Sequence, residues 1–168
     1  MKRAENQAKQ YQTFEDLEVY QVAREFRKTI YRVARGLPEI EKFALASQIR
    51  RAAVSLTNGI AEGHGRFHFL EQIKFMLQAR GSLEESLDDL NVCIDEDYSP
   101  VEEIEKLTSE GWRAHRLING YIRFLRSRTA EKSSHIKESP SDYGPSEEEL
   151  DDLFFGRFNP SSLQRFNQ

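Results

Sequence analysis

The chain is poor in the residues that would commit it to several classes of structure. It has one cysteine, Cys93, in 168 residues. No internal disulfide can form, so a disulfide-stapled scaffold is excluded. No apolar run approaches the roughly 20 residues of a membrane-spanning helix, so no membrane association is expected. The opening MKRAENQAKQYQ lacks the apolar centre of a signal peptide, which makes the cytoplasm the expected location. Positive charge is also in deficit. Lys and Arg number 24 against 28 Asp and Glu, for a net charge of −4 and a pI near 5.7. That excludes a uniformly basic nucleic-acid-binding domain. Proline is scarce over residues 13–129, where only Pro38 and Pro100 occur, and returns in the last stretch as Pro140, Pro145 and Pro160. Alternating strand patterns and a glycine-rich phosphate loop are absent too.

What is present divides into three segments. Residues 1–12 carry +2 and read as an N-terminal extension. Residues 13–129 hold 17 basic and 19 acidic residues, for −2. Residues 130–168 carry 4 basic and 8 acidic, for −4, and read as an acidic tail. The middle segment is all-α by its periodicity and predicts an up-down-up-down antiparallel four-helix bundle. Leu17, Tyr20, Ala23, Phe26, Ile30, Val33 and Leu37 recur at three- and four-residue steps, one face of a first helix capped by Thr13 with Asp16. Gly36 and Pro38 end it. A second helix is expected from Glu39 to Gly63, with Leu45, Ile49, Ala52, Ala53, Leu56 and Ile60 inside. A third carries Leu70, Ile73, Met76, Leu77, Leu83, Leu87, Leu90 and Ile94. Ser99-Pro100 opens a fourth, buried through Val101, Ile104, Leu107, Gly111, Ala114, Ile118, Tyr121 and Leu125. Each helix is expected to be roughly 22–29 residues long, with short connections that make neighbours antiparallel.

A polar stripe runs beside the apolar line of the second helix. Gln48, Arg51, Ser55, Asn58, Glu62 and Arg66 follow at steps of three and four. A solvated helix face is usually rich in Lys and Glu, and this one has no Lys. Its groups hydrogen-bond in fixed geometry. Three readings fit: a lysine-poor surface, a hydrogen-bond network between helices or subunits, or a nucleic-acid contact resting on Arg50, Arg51 and Arg66.

The run from Gln48 to Arg66, QIRRAAVSLTNGIAEGHGR, resembles the signature of the 23S rRNA intervening-sequence protein family. Phe14-x-x-Leu17 with Tyr20 and Ala23, the pair Ile30-Tyr31, and Ala79-Arg80-Gly81-Ser82-Leu83-x-Glu85 carry the same resemblance, which spans residues 13–129. The accessory variability determinant of diversity-generating retroelements is a more distant relative. The resemblance implies a non-enzymatic four-helix bundle that assembles as a homopentamer and works beside RNA, DNA or a reverse transcriptase. Relatives often carry Asn where Gly59 stands. A glycine inside a helix costs on the order of 1 kcal/mol against Ala, which points to close backbone approach there.

The leading expectation is therefore a homo-oligomeric, pentameric scaffold or adaptor for a ribonucleoprotein or reverse-transcriptase-like partner, with no cofactor. Gln48, Arg51, Ser55, Asn58, Glu62, Ser82 and Glu85 would form its polar or subunit contacts. The alternative is direct RNA or DNA binding through a local arginine patch of Arg50, Arg51, Arg66 and Arg80. A further alternative is a Mg²⁺-dependent nucleotide hydrolase built on Glu84, Glu85, Asp88 and Asp89. A salt-bridged or solvated face accounts for those carboxylates better, with Glu84 level with Arg113 and Arg116. His64 and His68 sit four apart, but Gly63 and Gly65 argue for a helix junction over a metal site. Cys93, between Val92 and Ile94, reads as packed.

In the tail, residues 130–145 read as a polar linker. Ser146 and Glu149 form a capping box before a short amphipathic helix at 146–155. Leu150, Leu153, Phe154, Phe155, Phe158 and Phe166 give it more apolar surface than unattached acidic tails carry. A docking role on a neighbouring subunit or a protein partner, through residues 146–168, is the expectation.

Overall fold

The computed structural model describes residues 13–135, so the expectations for residues 1–12 and for the tail beyond 135 lie outside the described residues. Four helices follow one another: α1 Glu18–Gly36, α2 Leu45–His64, α3 Phe69–Asp95 and α4 Val101–His135. α1 packs on α2, α2 on α3, α3 on α4, and α4 returns to α1. That ring of antiparallel neighbours is the up-down-up-down four-helix bundle. Among the described residues no strand occurs.

Local chemistry sets the helix ends. The backbone N–H of Thr13 donates to Asp16 Oδ2 at 3.1 Å, as the capping pair predicts. The pair closes only a 3-10 turn over Phe14–Asp16, and α1 begins one residue after the extended Leu17. α2 begins later than expected. Residues Glu39–Glu41 form a separate 3-10 turn, and Glu41 Oε2 accepts the N–H of Leu45 at 3.1 Å. That carboxylate satisfies a donor that the first turn of α2 would otherwise leave unpaired. At the far end of α3, Asp97 adopts φ 55° and the Tyr98 N–H bonds to the Cys93 carbonyl at 2.9 Å. This left-handed helix stop is one Asp tolerates better than most side chains.

Lengths differ from the sequence expectation. α1 and α2 have 19 and 20 residues, whereas α4 has 35 and continues to His135. The core is formed by the expected lines, with Phe26, Ile30, Ile49, Leu56, Met76 and Leu83 fully buried. Each such side chain contributes about 1.5–3 kcal/mol through burial. Three residues assigned to those lines face solvent: Leu70, Leu77 and Val101. Cys93 is fully buried, as its flanks suggest.

Two glycines bring α2 and α3 together. A Cβ on Gly59 would lie 3.1 Å from Ala79 Cβ and 3.2 Å from the Phe75 carbonyl. One on Gly63 would lie 3.0 Å from Phe75 Cβ. The close approach expected at Gly59 is thus present, and it recurs one turn on at Gly63.

Candidate interaction site

The polar stripe of α2 divides in two once it is folded. One part is spent between helices. Gln48 Nε2 donates to Asp89 Oδ1 of α3 at 2.9 Å, and the Ser82 hydroxyl of α3 donates to Ser55 Oγ at 2.9 Å. The other part opens on a cleft of about 500 Å³ on the α1–α2–α3 surface. Arg51, Asn58 and Glu62 line it with Arg50, Tyr31 of α1 and Phe75 of α3. Arg50 is half-buried, and Arg51 and Asn58 are exposed. Among the described residues none of these three side chains has a hydrogen bond or ion pair. Glu62 is engaged, holding Arg66 Nη2 at 2.6 Å, while the Arg66 guanidinium lies 4.5 Å from the centre of the Phe75 ring.

A second hollow, about 800 Å³, adjoins the first through Tyr31 and Val54. α1 supplies Arg27, Lys28, Arg32 and Arg35 to it, against Glu25 alone. Arg27 Nη1 donates to Thr57 Oγ1 at 2.7 Å, which pins that guanidinium to α2. Lys28 bonds Glu25 at 2.6 Å, and that hydrogen bond holds the Glu25 carboxyl below its ordinary pKa. The joined surface therefore presents six cations and two carboxylates. The α1 cations were not among the residues singled out from sequence. Their signal was there, in Arg24, Arg27, Lys28, Arg32 and Arg35 at helical spacing.

The four arginines expected to act together do not form one patch. Arg50 and Arg51 line the cleft, and Arg66 is occupied at its lower edge. Arg80 lies on the α4 side of α3, where Nη1 donates to Asn119 Oδ1 at 3.0 Å. Glu85 is exposed on α3. Residues 84–110, across the end of α3 and the start of α4, hold eleven carboxylates and one cation, Lys106.

The carboxylates of α3 do not converge either. Glu84 Oε1 lies 3.2 Å from His115 Nε2 of α4, while Glu85 and Asp88 face solvent. Asp89 points inward and is 4% exposed, a correction to the solvated face expected there. Burial pushes its carboxyl up to about 6, with Glu85 and Asp88 adding to the shift and the Gln48 hydrogen bond opposing it. Its Oδ2 is buried with no hydrogen bond among the described residues. Burial raises the Cys93 thiol to about 11, which leaves it unreactive. No three His, Cys, Asp or Glu among the described residues are placed to hold a metal ion. Nor is any described helix long and apolar enough to cross a membrane.

The family model described as 23S rRNA-intervening sequence protein matches residues 15–120. No curated protein matches the chain. A solved structure from Bacteroides thetaiotaomicron, described as a protein with unknown function from the S23 ribosomal protein family, is similar to it. The TM-score is 0.58 and the identity 22%, over 62% of this chain and 97% of that one. At that identity the likeness speaks for the fold.

Proposed function

The chain belongs to the 23S rRNA-intervening sequence protein family, and from that premise we propose a non-enzymatic, homo-oligomeric scaffold or adaptor, pentameric, for a ribonucleoprotein or reverse-transcriptase-like partner. The observation that supports it is the divided stripe. A bundle standing alone has use for Gln48, Ser55 and Ser82, which pair between α2 and α3. It has none for Arg50, Arg51 and Asn58, whose hydrogen-bonding groups in an isolated copy meet water. A planar guanidinium fork in a cleft is suited to a second molecule, which replaces that water with oriented acceptors. The divergent carboxylates and the unreactive Cys93 give a hydrolase no assembled centre to work with. Solution mass tests the assembly. Five copies of the 19.6-kDa chain are expected, and a monomer at micromolar concentration would overturn the scaffold.

A second reading, direct contact with RNA, is favoured by the six cations gathered against two carboxylates on the joined α1–α2 surface. Phosphate neutralisation releases counterions, so affinity for a structured RNA is expected to fall steeply with salt. Replacing Arg50 and Arg51 together with Ala should weaken binding about tenfold or more and flatten the salt dependence by roughly two phosphate contacts. Binding indifferent to salt, or to the double substitution, would remove this reading.

A further inference from the structure

A second groove, bordered by α1 and α4, has a different character from the arginine cleft. It lies between the start of α1 and the second half of α4, and encloses about 420 Å³. Leu17, Val19, Leu117, Tyr121 and Phe124 make it apolar, with His64 at one edge. Phe124 is 54% exposed, and its ring stacks on Tyr121 at 6.0 Å between centres. Gly120 leaves the floor open, since a Cβ there would meet nothing within 4 Å. The surrounding stretch of α4 is cationic: residues 111–130 contain Arg113, Arg116, Arg123, Arg126 and Arg128 and no carboxylate, and the one acid lining the groove, Glu18 of α1, pairs with Arg113 at 3.4 Å, which leaves a cationic excess. An apolar trough beside a run of arginines fits an amphipathic segment of opposite charge.

The chain itself contains such a segment. Residues 147–158 carry five carboxylates and one cation, Arg157, and within them Leu150, Leu153 and Phe154 fall at the spacing of one helix face. α4 continues eleven residues beyond Phe124 to His135, about 16 Å at helical rise, so the chain departs well past the level of the groove. A second copy beside it offers the same groove to the departing chain. We propose that the α1–α4 groove receives residues 147–158 of a neighbouring copy, with Leu150, Leu153 and Phe154 on Tyr121, Phe124 and the open floor at Gly120. The proposal rests on the homo-oligomeric reading above. It makes the tail a strap between copies, acting at the high effective concentration that tethering provides.

Disulfide trapping in the full-length chain tests this. One variant carries Gly120→Cys and another Phe155→Cys, a position flanking the docking face. Cys93, the only native thiol, is fully buried and does not compete. Mixed and mildly oxidised, with one variant isotopically labelled, the two are expected to form a mixed dimer at least fivefold in excess of either self-dimer. Changing Leu150, Leu153 and Phe154 to Ser on the Phe155→Cys chain should abolish it. Absence of the mixed dimer, or its survival after the triple change, overturns the proposal. So does a double variant that closes only within its own chain. Solution mass of the unaltered protein separates the two failures. A monomer defeats the oligomeric reading, whereas an oligomer without the mixed dimer defeats the strap alone.

Discussion

Helix α3 meets α2 by close backbone approach and meets α4 through a chain of side chains. On the α2 side, Gly59 and Gly63 let the helices come so near that a single Cβ would stand 3.0–3.1 Å from Ala79 or Phe75. The seam admits one buried acid, Asp89, held by Gln48 alone. On the α4 side, Arg80 donates to Asn119, Asn119 Nδ2 sits 3.3 Å from His115 Nδ1, and His115 Nε2 sits 3.2 Å from Glu84. The first seam is set by shape at the two glycines, with the Gln48–Asp89 and Ser82–Ser55 bonds beside them, and tolerates little added volume. The second is also closely packed, since a Cβ on Gly111 would stand 2.6 Å from Leu87 Cδ2, and it adds hydrogen bonding at the edge of solvent that depends on protonation. The two seams of this helix therefore respond to different perturbations.

The largest effect should come from volume on the α2 side. Gly63→Leu places a branched side chain where Phe75 Cβ, Met76 Cε and the Gln72 carbonyl already stand within 3.3 Å. A loss of about 3 kcal/mol is expected in urea unfolding. Gly81→Ala is the control. It lies on α3, the other helix of the seam, with nothing within 4 Å of the new Cβ, and should gain roughly 0.5–1 kcal/mol from helix propensity alone. If Gly63→Leu unfolds at the same urea concentration as the parent, the seam is not set by close approach.

The next effect is electrostatic and changes sign with expectation. The Asp89 carboxyl rises from 3.8 in the unfolded chain to about 6 in the fold. The folded state thus binds the proton more tightly. Its contribution to stability is full below pH 3.8 and is lost as pH rises through 6. Asp89→Asn keeps an acceptor for Gln48 and removes the charge. Stability at pH 7.5 should increase by about 2 kcal/mol, with little change at pH 4. A loss at pH 7.5 would mean that the carboxylate has a partner that its 4% exposure and orphaned Oδ2 do not suggest.

These two seams differ in how far the sequence disclosed them. Apolar periodicity is a local property, and it placed four helices and most of the core. It also placed Leu70, Leu77 and Val101 inside, because a step of three or four cannot separate the buried line from the row beside it. The start of α2 was missed since Glu39–Glu41 carry helix-forming residues but close as a 3-10 turn, with Glu41 reserved to cap Leu45. Gly59 announced the α2 seam, being unfavourable in a helix unless something lies close. Nothing local distinguished Asp89 from Asp88: one is buried and the other exposed, and only the register of α3 against α2 decides which. The arginines divided for the same reason. Arg50, Arg51, Arg66 and Arg80 are near in sequence pattern, yet α3 turns Arg80 to the opposite side and Phe75 captures Arg66.

The smallest effect should appear on the α4 side, and it runs opposite to that of Asp89. Asn119 Oδ1 accepts from Arg80, so its Nδ2 is the group turned to His115 Nδ1. That nitrogen must accept, which leaves Nε2 to donate to Glu84. The chain of bonds is complete only for neutral imidazole. Burial lowers the His115 pKa, with Arg80 and Arg116 acting in the same direction and Glu84 opposing. A histidine lowered by folding contributes fully above its unfolded pKa of 6.5, and the contribution is lost as pH falls below it. In the parent, Asp89 gains stability over the range in which His115 loses it, and the two trends mask each other. Asp89→Asn removes the first trend. In that background, stability should fall between pH 7.5 and 5, and adding His115→Gln should flatten the curve, a difference of about 1 kcal/mol or less. The residues stand on opposite sides of α3 and share no partner, so the two substitutions should be additive at each pH. A coupling energy well above 0.5 kcal/mol would show that α3 transmits strain from one seam to the other, and that the two sides of the helix form one cooperative unit.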